Sequence, residues 1–340
     1  MSRAVELPIV EPLFRTYQTY GSSGAIIQDN PSVNNWFYNR ASVLSCERNF
    51  LAGRTTPGIY VNWVNIFLNP HLERYEIPMK PLGEYIHEVI RGFLEEGFYI
   101  HYFDIDDYYL EGKSWYGERH FPHDGLICGY DDDAKTYSIY AYDKDWICRV
   151  IKIPISCFEE GRRASFEAGN FGHMYALKVK KEPVKLNYKE MCDNLKIHIN
   201  SSLEQCPPDL ELLPLKQKSI VAGLAVHDYI CIYLDMIVDG CIPHERMDRR
   251  VFRLIWEHKN VMHKRFQVVE DDLGFDHELS ERYESVLKKA DNGRFLYASY
   301  QIKRRDVLVP TIQKILRSIS EEEKPLIEAF IEKIKSAALQ

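Results

Sequence analysis

The sequence has no CxxC pair among its eight cysteines (46, 128, 148, 157, 192, 206, 231 and 241) and no disulfide-dense cluster. Its start, MSRAVELPIVEPLFRTY, lacks the apolar run of a secretory leader, so reduced thiols and a cytoplasmic location are expected. Long apolar runs are missing too. The best membrane candidate, Ile220–Val238, carries His227, Asp228 and Asp235, which are costly in lipid, and it reads as a buried helix with no membrane role. Basic surplus is also absent: 43 Lys plus Arg stand against 50 Asp plus Glu, a formal charge of −7. That balance argues against a broad phosphate-binding surface and so against a nucleic-acid partner.

Several short motifs fall below the threshold of a site. Gly21-Ser22-Ser23-Gly24 is too short for a phosphate loop and has no Lys-Ser or Lys-Thr pair after it. Asp104, Asp106 and Asp107 lack the spacing of a calcium loop. Glu257-His258 and His263 do not form HExxH, because the two histidines are five apart and leave one helix face. No metal is therefore expected. Lys259, Lys264 and Arg265 read as a solvated helix face, which offers the alternative of a docking strip for an acidic carrier protein.

What the sequence does hold is enough chain, at 340 residues, for about two ordinary domains, and an aromatic content of 13%. Such rings fill cores and also line grooves for a peptide or acyl chain. From Met79 to Glu96 apolar residues recur at helical spacing, with Pro81 at the start and Gly97 as C-terminal cap. The period then becomes two. Phe98–Phe103, His123–Asp131, Thr136–Asp143, Trp146–Pro154 and Met174–Lys180 read as strands of an antiparallel meander. Past a linker, KKEPVKLN, helical patterns cover Asn187–Leu203, Leu215–Val238, Arg249–Asp272, Glu278–Arg304 and Glu321–Ala338. Breaks are expected at Pro207-Pro208, Pro243, Gly274 and Pro310, and Ser320 as N-cap of the last helix. The expected fold is α+β: a first domain over 1–182 and an all-helical domain over 183–340.

The chemistry concentrates between His120 and Asp143. A turn centred on Asp133 places His123 opposite Asp143 on neighbouring strands, with Cβ atoms ~5 Å apart. A carboxylate beside an imidazole fixes its tautomer and stabilises the imidazolium, which is the base-plus-orienter half of a nucleophilic triad. A slip of one residue would separate the two. Asp124, next to His123, is open to two roles, a surface residue or a helper in that network.

At these residues, His123-Asp124 followed by Gly129-Tyr130-Asp131 and a strand ending in Asp143, the sequence resembles papain-like cysteine peptidases that trim bacteriocin leaders. It is similar, more so, to the butirosin biosynthesis protein H type acyltransferases and to cysteine-protease homologues that form peptide bonds in closthioamide-type pathways. The resemblance spans roughly residues 10–160, with an echo in Asp248-Arg249-Arg250 through Phe252 to Trp256-Glu257-His258-Lys259. It implies a papain-like first domain and a Cys–His–Asp site that moves an acyl or aminoacyl group from a carrier-protein thioester to a small amine. The partner would be an acyl or peptidyl carrier protein. The cofactor, phosphopantetheine, would come with it, and none would be bound directly.

The nucleophile departs from that pattern. Papain-like enzymes carry Cys at the start of a long helix, where the dipole lowers its pKa. Here the helix expected from Asn30-Pro31-Ser32 has no Cys at its start, and Cys46 is the one cysteine before His123. If one helix spans Ser32–Glu47, Cys46 ends it; if Ser45 caps a new helix, Cys46 lies in a first turn. Ser22, Ser23 and Ser32 remain alternatives, as does a site with no thiol nucleophile. Gln28 is the oxyanion candidate, an amide just ahead of the nucleophile helix. Amide-forming acyl transfer through Cys46, His123 and Asp143 is the expected function. The alternatives are a cysteine hydrolase (peptidase or thioesterase) of the same fold and a non-catalytic relative that binds a carrier protein.

Overall fold

The computed structural model describes residues 4–28, 30–53, 55–62, 64–170, 172–202 and 219–338. Cys206 and the break at Pro207-Pro208 lie outside them. The described residues form two compact units. One takes Met1–Val33 with Asn65–Pro183, the other Asn34–Val64 with Val184–Gln340. The later boundary, between Pro183 and Val184, falls inside the expected linker, but residues 34–64 join the second unit.

The first unit is a seven-stranded antiparallel sheet with helices on it. Its strands are β1 (Ala4–Glu6), β4 (Leu72–Pro78), β5 (Tyr99–Asp106), β6 (Pro122–Asp131), β7 (Thr136–Tyr142), β8 (Cys148–Pro154) and β9 (His173–Val179). Their order is β4-β9-β5-β6-β7-β8, with β1 paired to the far end of β6. Gly129 makes that last pairing feasible, because a Cβ there would stand 2.4 Å from the Val5 carbonyl oxygen. The helices are α1 (Gln18–Ala25), α3 (Ile86–Glu95) and α4 (Ile155–Glu167). The helix expected from Met79 is shorter: Lys80–Tyr85 is a 3-10 turn, kinked at Gly83 (φ +54°), before α3 begins.

Alternation along the strands sorts the core into two layers. Ile100, Tyr102, Ile127 and Ile139 pack with Ile86, Ile90 and Leu94 of α3 and Phe158 of α4. Tyr99, Leu126, Cys128 and Tyr140 pack on the other face with Ala25 and Ile26, at the end of α1. His101, one pleat from Tyr99, shares the face toward α1. The β6–β7 turn forms where expected, and Asp131 Oδ1 accepts the N–H groups of Asp133 and Ala134 at 2.9 Å.

The second unit contains α2 (Asn34–Arg40), α5 (Tyr188–Asn200), α6 (Ala225–Val238), α7 (Arg250–Leu273), α8 (Glu278–Lys303) and α9 (Val309–Ala338). It is not all helical. β2 (Leu44–Glu47), β3 (Ile59–Val61) and β10 (Ile220–Ala222) make a three-stranded antiparallel sheet, which explains why residues 34–64 belong here. Pro310 does not break the last helix but sits in its first turn, where a missing N–H costs nothing. Ser320 accordingly lies inside α9 rather than capping it. Among the described residues no helix is long and apolar enough to cross a membrane.

Candidate functional site

Cys46 falls on neither of the expected helices. It lies in β2, paired with Ile59 and Val221, and is fully buried. Burial, with the Glu47 charge adding to it, pushes its thiol up to about 12, so almost no thiolate forms near neutrality. It belongs to the helical unit, whereas His123 and Asp143 belong to the sheet unit.

The register behind the expected His123–Asp143 pair holds in the middle of the hairpin, at Leu126↔Tyr140 and Ile127↔Ile139, before a bulge at Cys128 shifts it toward the turn. The pair itself is replaced. Past Tyr142 the chain turns sharply, and Asp143 opens that turn: Oδ1 accepts from the Asp145 and Ile147 N–H groups at 2.8 and 2.9 Å, and Oδ2 is held by the Arg149 guanidinium. His123 lies opposite Ile105 of β5. The carboxylates facing its ring are those of Asp124 (Nε2–Oδ1 3.4 Å) and Asp107 (Nδ1–Oδ2 3.7 Å).

A different constellation forms one layer deeper. The Ser22 Oγ on α1 lies 2.8 Å from His101 Nδ1, and the far nitrogen of that ring, Nε2, lies 3.3 Å from Asp124 Oδ2. Two features of β5 produce this. Its pleat turns His101 toward α1. Between Tyr102 and Ile105 the register against β6 slips by one residue, so Phe103 and Asp104 (φ +57°) together face Asp124. Such a bulge re-aims side chains. Gly125 lets the strands stay in contact there, since a Cβ would stand 2.4 Å from the Tyr102 hydroxyl.

The electrostatics are consistent with a base held by an orienter. Burial alone would raise the Asp124 carboxyl, but His101, with His123 and Lys113 behind it, outweighs this and holds it below the ordinary range. An ionised Asp124 favours the proton on His101 Nε2, which leaves Nδ1 to accept from the Ser22 hydroxyl. The Nε2–H is at ion-pair distance but not aligned for a hydrogen bond in this geometry. Gln18, one turn before Ser22 on the same helix face, points its amide at Ser22 Oγ (3.4 Å) and donates to the Tyr140 carbonyl (3.0 Å). Gln28, the expected oxyanion donor, is exposed in the turn after α1.

The cluster then runs outward. Asp124 is shared by the two imidazoles, and beyond His123 lie Asp107 and Lys113, whose Nζ is 3.3 Å from Asp107 Oδ1. Burial pushes the Asp107 carboxyl up to about 6, against the pull of Lys113. Exposure rises from fully buried Ser22 and His101 to a His123 side chain that is 34% exposed, while Asp107 and Lys113 on its other side are buried. Of the other serines weighed as nucleophiles, Ser23 donates to the Tyr20 carbonyl and Ser32 to Asn30 Oδ1.

The sequence does not single out His101, Gln18 or Lys113, and Asp107 is weighed there only against a calcium loop. His101 did leave a signal there: it is the one titratable imidazole in the expected strand Phe98–Phe103, which is otherwise written in Tyr, Ile and Phe. No model of a known family matches the chain, and no curated protein matches it.

Proposed function

We propose that the chain is an acyl transferase of papain-like type, which forms an amide from a carrier-protein thioester with Ser22 in place of the expected cysteine. The observation that carries this reading is the Ser22–His101–Asp124 relay. In the first half-reaction Ser22 Oγ attacks the thioester carbonyl while its proton passes to His101 Nδ1. The pantetheine thiolate leaves and takes that proton as thiol. In the second, an amine attacks the seryl ester, gives its proton through His101 to the departing Ser22 oxygen, and carries the acyl group away as an amide. Asp124 stabilises the imidazolium in both, and Gln18, whose amide Nε2 lies 3.4 Å from Ser22 Oγ, takes the role of oxyanion donor. The cofactor is pantetheine on the carrier protein, and the partners are that protein and a small amine.

Complete burial of Ser22 and His101 favours a second reading, a non-catalytic relative whose relay holds α1 on the sheet while its surface binds a carrier protein. Intact-mass analysis after mixing the chain with acyl-loaded carrier protein separates the two. The first expects an acyl adduct on Ser22, discharged by added amine, and a fall of roughly 10⁴-fold or more in amide formation for Ser22→Ala. No adduct, with carrier binding unchanged in Ser22→Ala, would leave the second. Discharge to free acid despite abundant amine would make the enzyme a hydrolase.

A further inference from the structure

The helical unit holds a polar cluster that acyl transfer does not use. His198 of α5, His258 of α7 and Glu323 of α9 are fully buried, and one ligand atom from each lies within 4.8 Å of the others. We infer that these three side chains form a binding site for a divalent transition-metal ion of the zinc class, built in the core of the bundle.

Two of the three side chains, His258 and Glu323, carry the hydrogen bonds that orient a ligand. His258 Nε2 lies 2.9 Å from the Ser42 carbonyl oxygen, which can only accept, so the proton is on Nε2 and Nδ1 keeps its lone pair. Metal-binding imidazoles are oriented in this way, by donating the far N–H to a backbone carbonyl. His258 Nδ1 has no hydrogen-bond partner, and neither ring nitrogen of the buried His198 has one. Unpaired buried nitrogens are costly, and an ion would satisfy two of these three, His258 Nδ1 and one nitrogen of His198. Glu323 is held at both oxygens: Lys259 Nζ is 2.6 Å from Oε2, the same oxygen that faces His198, and the Tyr283 hydroxyl donates to Oε1. Each carboxylate oxygen has a second lone pair left for a metal.

Distance and chemistry agree. His198 Nε2 and Glu323 Oε2 are 3.6 Å apart, close to the roughly 3.4 Å that a tetrahedral site with bonds of about 2.1 Å requires. All three ligand atoms lie within 4.8 Å of one another, so the set must tighten around an ion, and His198, whose ring nitrogens no hydrogen bond holds, is the side chain left to move. Two imidazoles and one carboxylate suit zinc and its neighbours better than the hard cations, which take oxygen ligands. With no surface exposure at these residues, the ion enters as the unit folds. Lys259 competes with it for Glu323.

The test uses the full chain, refolded or expressed with Zn²⁺ and dialysed, with metal content read by mass spectrometry and Co²⁺ absorption as a second readout. The expected result is one ion per chain, a Co²⁺ spectrum with nitrogen ligation, and loss of both in His198→Gln, His258→Gln and Glu323→Gln. Lys259→Met leaves Glu323 without its resident cation, so Zn²⁺ should raise its melting temperature more than that of the unaltered chain. No retained ion in the unaltered chain, or one retained equally by all three ligand variants, would overturn the site. If the ligand variants do not fold, an unchanged melting temperature of both unaltered chain and Lys259→Met on adding Zn²⁺ would overturn it.

Discussion

The sheet unit and the helical unit each bury a group of histidines and carboxylates around one lysine, and they do so in opposite ways. In the sheet unit the group lies along neighbouring strands and leads outward, from buried Ser22 and His101 through Asp124 to a partly exposed His123. In the helical unit it is closed on all sides, with His198, His258, Lys259 and Glu323 contributed by three helices and none exposed. A graded cluster can exchange protons with water and change its charge cheaply. A sealed one must keep its charges paired, because an uncompensated ion there has nothing to turn to.

The largest expected effect follows from that contrast. Lys259→Met strands Glu323 in the bundle core and should cost the helical unit about 3–5 kcal/mol. Lys113→Met should cost the sheet unit clearly less, because Asp107, already pushed up to about 6, takes a proton instead of standing charged. Hydrogen exchange under increasing urea, read separately over α7–α9 and β5–β7, measures both. Lys259→Met combined with Glu323→Leu should recover most of the loss, since a well-packed apolar pair replaces an ion pair at little cost. Equal losses in the two lysine variants would mean that the clusters do not differ in kind.

Next in size is the pH dependence, which should have opposite slopes in the two units. The Asp107 carboxyl rises from an ordinary 3.8 to about 6. A raised carboxyl contributes stability that is complete below about pH 4 and lost as pH climbs through 6, on the order of 3 kcal/mol for a shift of this size. Asp124, held low, acts in the reverse sense, losing its contribution only as pH falls through its folded value. In the helical unit burial pushes His227 well below its usual range. The unfolded chain then takes up a proton near pH 6.5 that the folded one refuses, so this unit loses stability as pH falls. Hydrogen exchange at pH 7 and pH 5 should show β5–β6 gaining protection and α6 losing it. Carbon-13 NMR of the Asp107 carboxyl should give a midpoint near 6, moving higher in Lys113→Met.

Much of this architecture could be read from periodicity, and the rest fails for identifiable reasons. The meander and the long helices follow from patterns of two and of 3.6 residues, and the Asp133-centred turn follows from its run of polar residues. Residues 34–64 misled because their apolar run fits a buried helix or a buried strand equally well, and β10, which pairs with β2, lies far along the chain. Lys259 and Arg265 look solvated in a one-dimensional reading, yet both are fully buried, Lys259 by its ion pair and Arg265 by the Tyr38 carbonyl. At the candidate site the hairpin register was legible to within a bulge. The bulge in β5 was not, and it is what hands Asp124 to His101. The His198–His258–Glu323 group left no motif, because its members are 60 and 65 residues apart in sequence and meet only through helix packing.

The smallest expected effect concerns the helices that carry the two clusters. α1, eight residues long, begins at Tyr17 without a side-chain cap and depends on packing and on the Ser22–His101 contact for its position. α5 carries its own start signal: Asn187 Oδ1 accepts the Glu190 N–H at 3.1 Å. Asn187→Ala removes that acceptor and should cost about 1 kcal/mol, whereas Asn187→Asp should cost little. The cap lies about three helical turns before His198, so the loss should appear as faster amide exchange in the first turn of α5 and fade before the histidine. Exchange that quickens as far as His198 would show that the buried cluster depends on the cap, and the helical unit would then be the less rigid of the two.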